Sequence, residues 1–161
     1  MTHRKNANYM ASTFQYATAA EVRNDTALQD ATNVSTAYIE DKLSMAEAII
    51  NGMVGTIYIT PFATGASTPP LIKAYTIQMA QGIIFAAQFG GEAEGTGIDG
   101  QKMIDFVMKQ LKLIQTGAMK IFDSDGTELS RTGNYKPAGY PNQDVDETDA
   151  PGRSFETNQV F

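Results

Sequence analysis

The chain contains no cysteine and no tryptophan, and its one histidine is His3. Without thiols it cannot form disulfide bonds, a thiolate zinc site or a thiol nucleophile. A single histidine near the start argues against histidine-based acid–base catalysis and against a histidine-rich metal site. One enzyme class that remains compatible with these absences is a metal-dependent hydrolase that uses Asp and Glu alone.

Basic charge is also scarce. The sequence has 12 Lys and Arg against 18 Asp and Glu, which gives a net charge of -6, and no segment of it is basic. A surface that grips DNA or RNA needs a cluster of cations. The composition therefore argues against a dedicated nucleic-acid-binding protein. No apolar run follows the charged residues 1–6, so we expect no secretory signal and a cytoplasmic location.

One stretch, from Pro69-Pro70 to Gly90-Gly91, organises the rest of the 161 residues. Thr68 can cap a helix that begins at the prolines, and the glycine pair suits its end. Lys73 and three glutamines argue against a membrane span, because each polar group would need a partner in lipid. The stretch is apolar nearly all round, and we predict that it is the buried central helix of a small bundle of about four helices. One of its faces carries Ile72, Tyr75, Met79, Ile83 and Ala86.

Two helices are predicted before this stretch. Thr18 and Glu21 have the spacing of a capping box, which predicts a short helix to about Asp25 with Phe14 or Tyr16 packed over its start. A longer helix should open at residues 33–36. Its predicted apolar stripe comprises Ile39, Leu43, Ala46, Ile50 and Met53 or Val54, and Glu40, Asp41, Lys42 and Glu47 lie off that stripe. The adjacent pair Glu40-Asp41 is predicted to be a solvated edge and not a catalytic pair, because neighbouring positions on a helix do not face each other.

A further helix is predicted from Ile98 or Asp99 to Thr116. Its apolar stripe should be Met103, Val107, Leu111 and Ile114, widened by Ile104 and Phe106. A charged row lies opposite, formed by Lys102, Asp105, Lys109 and Lys112. Asp105 precedes Lys109 in the order that favours a helical ion pair. The row is either a solvated face or a surface directed at a channel lumen or a partner.

A short β-hairpin is predicted after this helix. Residues 119–122 read as a strand, residues 123–126 as a turn and residues 127–129 as the returning strand. The turn begins like a calcium-binding loop, but Glu128 and Asn134 stand at the sixth and twelfth positions, where glycine and glutamate are required. We therefore expect no calcium, and no cofactor of any kind.

The chain thus divides into a flexible leader (residues 1–13), a helical domain with a terminal hairpin (14–129) and an extended C-terminal arm (130–161). The arm has no periodicity and cannot bury a core of its own. Its sparse aromatic residues are candidate partner-binding anchors, namely Tyr135, Tyr140, Phe155 and Phe161. The alternative for the arm is a solubilising tail.

Three blocks of the helical domain, with its last helix and hairpin, resemble the helical head–tail connector proteins of tailed bacteriophages, also called adaptor or head-completion proteins. The blocks are Tyr16-Ala17-Thr18-Ala19-Ala20-Glu21-Val22-Arg23, Ile39-Glu40-Asp41-Lys42-Leu43 with Ile49-Ile50-Asn51-Gly52, and Pro70-Leu71-Ile72-Lys73-Ala74. Gln110-Leu111-Lys112-Leu113-Ile114-Gln115-Thr116-Gly117 and Ile121-Phe122-Asp123 resemble the last helix and hairpin of that family. The connection at residues 56–68 and the arm after Ser130 depart from it.

The resemblance implies a structural virion protein that has no enzymatic activity. Such proteins form homo-oligomeric rings, commonly dodecamers, between the portal and a stopper, tail terminator or other neck protein. The ring extends the DNA channel, and a mildly acidic lumen lets DNA pass without specific binding. The expected location is the virion neck, after synthesis in the host cytoplasm, and no membrane is involved.

Two alternatives belong to other functional classes. One is a small cytoplasmic helical protein-binding module or regulator that works as a monomer or dimer. The other is the carboxylate-based metal-dependent hydrolase. Size in solution with and without a portal separates a ring from a small module, and the hydrolase would require metal-dependent turnover.

Overall fold

The computed structural model describes residues 15–24, 28, 34–88 and 99–132. The fold is mainly helical, as the sequence predicts, and no multi-residue strand occurs among the described residues. The leader, the pair Gly90-Gly91 and the arm beyond Thr132 lie outside them. The described helices are α1 (Ala19–Arg23), α2 (Thr36–Val54), α3 (Pro70–Gln88) and α4 (Gly100–Gln115), with a short 3-10 helix at Gly65–Ser67.

Local capping begins three of these helices. The Thr18 hydroxyl accepts from the Glu21 amide, and the Glu21 carboxylate accepts from the Thr18 amide at 2.8 Å, which confirms the predicted capping box. Ser35 and Asp99 cap α2 and α4 in the same way, by accepting amides of the first turn. The predicted cap at Thr68 is wrong. Its buried hydroxyl has no hydrogen-bond partner among the described residues, and α3 starts directly at a proline.

Helix α3 contacts α1, α2 and α4. Small residues allow the closest of these crossings: a Cβ on Gly82 would lie 2.9 Å from the Ile104 side chain, and one on Gly100 would lie 2.5 Å from the Ala86 amide. Both distances are shorter than side chains tolerate, so α3 and α4 approach each other backbone to backbone. Gln81 is buried on α3 and donates to the Val22 carbonyl at 3.0 Å, which satisfies its amide.

The buried face of α3 differs in part from the predicted one. Ile72, Tyr75 and Met79 are buried as predicted, whereas Ile83 and Ala86 are only half-buried. Ile84 and Phe85 take their place in the core. The reason is that α1, α2 and α4 all pack against α3, so its inward surface is wider than one stripe.

Helices α2 and α4 bury most of the stripes predicted for them. On α2, Ile39, Leu43, Ala46, Ile50 and Val54 are all buried. On α4, Val107, Leu111 and Ile114 are buried, whereas Met103 and Ile104 are half-buried. Glu47 is buried with the α2 stripe, although the sequence pattern placed it off that stripe. Phe106 was expected to widen the α4 stripe but is 46% exposed.

Two isolated β-bridges follow α4. Phe122 pairs with Glu128, and the Leu129 amide donates to the Ile121 carbonyl at 2.9 Å around a turn in which Gly126 has a φ of 82°. Arg131 pairs in antiparallel fashion with Tyr58, which returns the chain to the segment after α2. None of the described helices has the length and apolar character needed to cross a bilayer.

The first test concerns the position of α3. We expect Ile84→Asp to destabilise the fold by more than about 4 kcal/mol, because it buries an unpaired carboxylate among the helices. Ala74→Asp is the matched control, since Ala74 is exposed on the same helix and should cost about 1 kcal/mol or less. Thermal unfolding followed by circular dichroism measures both. Equal melting temperatures for the two variants would show that α3 is not central.

Candidate interaction surfaces

The charged row predicted on α4 lies on the outer face of that helix. Lys102, Asp105, Lys109 and Lys112 are all exposed. Lys102 pairs with Asp99 at 3.0 Å, and Asp105 accepts from the Gln101 side chain at 2.8 Å. The predicted ion pair between Asp105 and Lys109 does not form, because Asp105 faces back toward the first turn. With three lysines and one aspartate, the row carries a charge of +2 on a chain whose net charge is -6.

Two large apolar side chains accompany this row. Phe106 is 46% exposed and Leu113 is 37% exposed. They are seven residues apart and so lie two helical turns apart on the same side of α4. Lys109 lies within one turn of each. We call the four residues of the row together with Phe106 and Leu113 the α4 outer face.

A second feature is a hydrogen-bonded cluster around Tyr16, inside the domain. The Tyr16 amide donates to Glu47 Oε1 at 2.6 Å, and its hydroxyl donates to Asn51 Oδ1 at 2.7 Å. The same hydroxyl accepts from the Phe62 amide at 2.7 Å. Burial raises the pKa of Tyr16, even though the hydrogen bonds to Phe62 and Asn51 oppose the change. The phenol therefore stays neutral at physiological pH and can both donate and accept.

The cluster continues into the segment after α4. The Phe62 ring lies 6.0 Å from the Tyr16 ring and 6.4 Å from the Tyr58 ring. The Tyr58 hydroxyl accepts from the Ile121 amide at 3.2 Å. Next to it, the Thr132 amide donates to the Ile57 carbonyl. A continuous set of contacts thus fixes residues 57–62 against both α2 and the turn after α4.

A groove of about 540 Å³ opens above these contacts. One wall comes from the connection between α2 and α3, including Ile59, Pro61 and Pro69. The other wall comes from residues 123–130 and includes Asp123 and Asp125. Ile59 is 76% exposed, so an apolar side chain lies open at the rim. We call this feature the loop groove.

The turn in the second wall is held by its own aspartate. Asp123 Oδ1 accepts from the amides of Asp125 at 2.9 Å and of Thr127 at 2.8 Å. The carboxylate of Asp125 is exposed at the rim of the loop groove. Within the described ranges, no three His, Cys, Asp or Glu side chains are grouped so that they could hold a metal ion.

The described residues end at Thr132, before the predicted anchors of the arm. Tyr135, Tyr140, Phe155 and Phe161 lie outside the described residues.

The sequence pattern did not predict the loop groove or the role of Glu47. The burial of Glu47 could have been predicted from its position. It is eight residues after Ile39, and at 100° per residue it lies near the edge of the apolar stripe of α2. For the loop groove no local signal exists, since its walls come from segments about 60 residues apart.

One ion pair connects α1 with α3. Lys73 contacts the Glu21 carboxylate, which also accepts from Thr18. Burial opposes ionisation of Glu21, but the hydrogen bonds from Lys73 and Thr18 outweigh it and lower the pKa of this carboxyl. At the start of α4, hydrogen bonds from Lys102 similarly lower the pKa of Asp99.

Removal of the Tyr16 hydroxyl tests the buried cluster. Tyr16→Phe leaves the Phe62 amide without its acceptor, and we expect a loss of about 1–3 kcal/mol in the free energy of unfolding. Tyr38→Phe is the control, because Tyr38 is half-buried and keeps its ring under Lys42 at 5.0 Å. Urea unfolding of both variants gives the comparison. If Tyr16→Phe unfolds at the same urea concentration as Tyr38→Phe, the hydroxyl does not anchor the connection.

Acid should weaken the contact between α1 and α3. The folded pKa of Glu21 is below its unfolded value of about 4.3. Its stabilising contribution is therefore present above that pH and is lost as the pH falls through the folded pKa. Glu21→Gln and Lys73→Met should each make the acid-side decline of melting temperature shallower, and the double variant should add little more. An acid-side decline identical to wild type in both variants would contradict this assignment.

The geometry above was compared with known proteins. No protein-family model matches the chain, and neither a curated protein nor a solved structure shows a match. The functional interpretation therefore rests on the residues of this chain and on the sequence patterns already described.

Proposed function

We propose that this chain is a structural virion protein of the head–tail connector type. Copies of it would form a ring between the portal and the tail or the next neck protein, and the ring would extend the DNA channel. The observation that carries the proposal is the α4 outer face, where Phe106 and Leu113 are exposed beside a row of lysines. Large apolar side chains next to mixed charge are characteristic of interface centres and their rims.

The charge distribution supports contact between identical copies. The row on α4 is locally basic, whereas the chain as a whole is acidic. A head-to-tail interface joins two different patches of one chain and closes into a ring when the rotation allows. A basic patch that meets an acidic patch of the next copy favours such an interface over a two-fold dimer, in which like patches would meet.

The architecture of the domain fits the same proposal. In this interpretation α3 is the axis of a four-helix bundle, and the bridged residues 119–129 form a β-hairpin at its end. Residues 130–161 would be an extended arm that contacts other subunits. The helix crossing at Gly82 and Gly100 holds α4 close to α3, so that the outer face of α4 stays turned away from the core.

The charged row can have one of two places in the ring. Lys109 and Lys112 form no ion pair within the described part of the chain and would attract a carboxylate of a neighbouring copy. In a lumen, the same lysines would meet the phosphates of passing DNA, where spaced single charges permit sliding. We favour the interface, because Phe106 and Leu113 on the same side of α4 are better buried against protein than exposed to the channel.

The mass of the full-length protein in solution, with and without portal, tests this proposal. Sedimentation should show a ring-sized species, or one that appears when portal-containing heads are added. A monomer or dimer of unchanged mass under both conditions would contradict the proposal. That result would instead support the small helical regulator.

Substitution on the α4 outer face should separate assembly from folding. Phe106→Ser with Leu113→Ser should leave the melting temperature nearly unchanged, because both side chains are already exposed. Removing apolar anchors from an interface costs about 2 kcal/mol each, so ring formation and portal binding should weaken by at least about thirtyfold. Met45→Ser is the matched control, since Met45 is 44% exposed on α2. If both variants assemble as wild type does, the α4 outer face is not the interface.

A further inference from the structure

The loop groove has two walls of different chemistry. Ile59, Pro61 and Pro69 give the first wall an apolar and rigid surface. Asp123 and Asp125 give the second wall negative charge at the rim. A groove of this kind suits an extended segment that carries aromatic or proline residues and a cation.

Contacts within the described part of the chain hold the two walls of the groove. The Tyr58 hydroxyl accepts from the Ile121 amide, and Tyr58 pairs with Arg131, so the two walls are joined at their base. The Phe62 amide donates a hydrogen bond to the Tyr16 hydroxyl, which fixes the first wall to the core. Because these contacts already fix both walls, a ligand would not have to order them, and less of the binding free energy is lost.

We infer that the loop groove binds residues 134–141 of a second copy of this chain. This segment reads Asn134-Tyr135-Lys136-Pro137-Ala138-Gly139-Tyr140-Pro141. It combines two tyrosines and two prolines with one lysine and no acid. Proline favours the extended conformation that such grooves recognise, and Lys136 complements the aspartates of the second wall.

The rest of the arm has the wrong charge for this groove. Residues 142–161 contain five acidic residues and a single cation, Arg153. Asp123 and Asp125 would repel that stretch. The charge pattern of the arm therefore selects residues 134–141 as the occupant.

The direction of the chain favours a neighbouring copy over the same one. Arg131 pairs with Tyr58, and the Thr132 amide then donates to Ile57, so the chain runs antiparallel to residues 57–58. At Thr132 the chain is therefore directed away from Ile59 and the groove. The segment of a neighbouring copy can enter the groove directly, whereas the same chain would first have to reverse its direction after Thr132.

This inference rests on the proposed ring, in which each arm would cross to the adjacent subunit. It adds a second contact to the one made by the α4 outer face. Because the chain has no native cysteine, single cysteines can report on the contact without background. Ala63 lines the groove and is exposed, and Ala138 lies in the middle of the segment, so both accept cysteine with little change in size.

The experiment mixes full-length Ala63→Cys protein with full-length Ala138→Cys protein and adds a short bifunctional thiol reagent. We expect a covalent dimer on a denaturing gel. The control mixture uses Ala63→Cys with Ala150→Cys, which places the second thiol in the acidic part of the arm. The control should give at least about fivefold less dimer.

Charge reversal tests the pairing of Lys136 with the aspartates of the second wall. Asp125→Lys in the Ala63→Cys chain should lower the yield of dimer by about fivefold, the upper range for an exposed ion pair. Lys136→Glu in the Ala138→Cys chain should restore it. A loss without restoration would contradict the pairing of Lys136 with this wall.

The remaining outcomes separate this inference from the ring itself. Rings that form without the covalent dimer would overturn the inference and leave the proposed ring in place. A covalent dimer without rings would support the binding of the arm in the groove and contradict the proposed ring. A chain that carries both Ala63→Cys and Ala138→Cys and crosslinks within a monomer would show that the groove holds its own arm. Protection of the Ala63→Cys thiol from a maleimide only after portal is added would identify the portal as the occupant. Both of the last two results would overturn the inference.

Discussion

The shape of the loop groove depends on the hydrogen bonds that Tyr16 makes inside the domain. The Tyr16 hydroxyl donates to Asn51 on α2 and accepts from the Phe62 amide, and the Tyr16 amide donates to the buried Glu47. Apart from the short 3-10 helix at Gly65–Ser67, the connection between α2 and α3 is irregular, so few backbone hydrogen bonds of its own hold it in place. Tyr16 supplies that support, although it lies 46 positions before Phe62 and 31 positions before Glu47 in the chain. Low local polarity strengthens these bonds and makes each of them costly to break.

Two buried polar atoms near the connection are not satisfied by the described residues. Asn51 Nδ2 and Thr68 Oγ1 are buried without a hydrogen-bond partner among the described residues. Each such atom costs about 1–3 kcal/mol. The connection keeps its position through other contacts, because Tyr58 and Phe62 support the walls of the loop groove directly.

The sequence predicted what depends on neighbouring residues. The capping box at Thr18, the start of α4 at Asp99 and the apolar stripe of α2 follow from spacings of three to four residues, and all three occur in the structure. Glu47 and the exposed Phe106 were assigned wrongly, because their environments depend on which helices cross and where. The loop groove could not be predicted at all, since it arises where residues 58–69 meet residues 123–130. A helix pattern specifies an inward face, but it does not specify how wide that face is or which outward residues are left for partners.

In our proposal, the α4 outer face and the loop groove are two surfaces through which copies of this chain contact each other. One is a basic and apolar face on a regular helix, and the other is an apolar and acidic groove on irregular segments. Each of the two would contact a different patch of the neighbouring copy, as a heterologous ring requires. Electron cryomicroscopy of portal-containing heads mixed with the full-length protein tests this account most directly. The account predicts an added ring coaxial with the portal, with α4 of each copy in contact with its neighbour. Heads that carry no added density, or isolated copies bound without contact to one another, would contradict it.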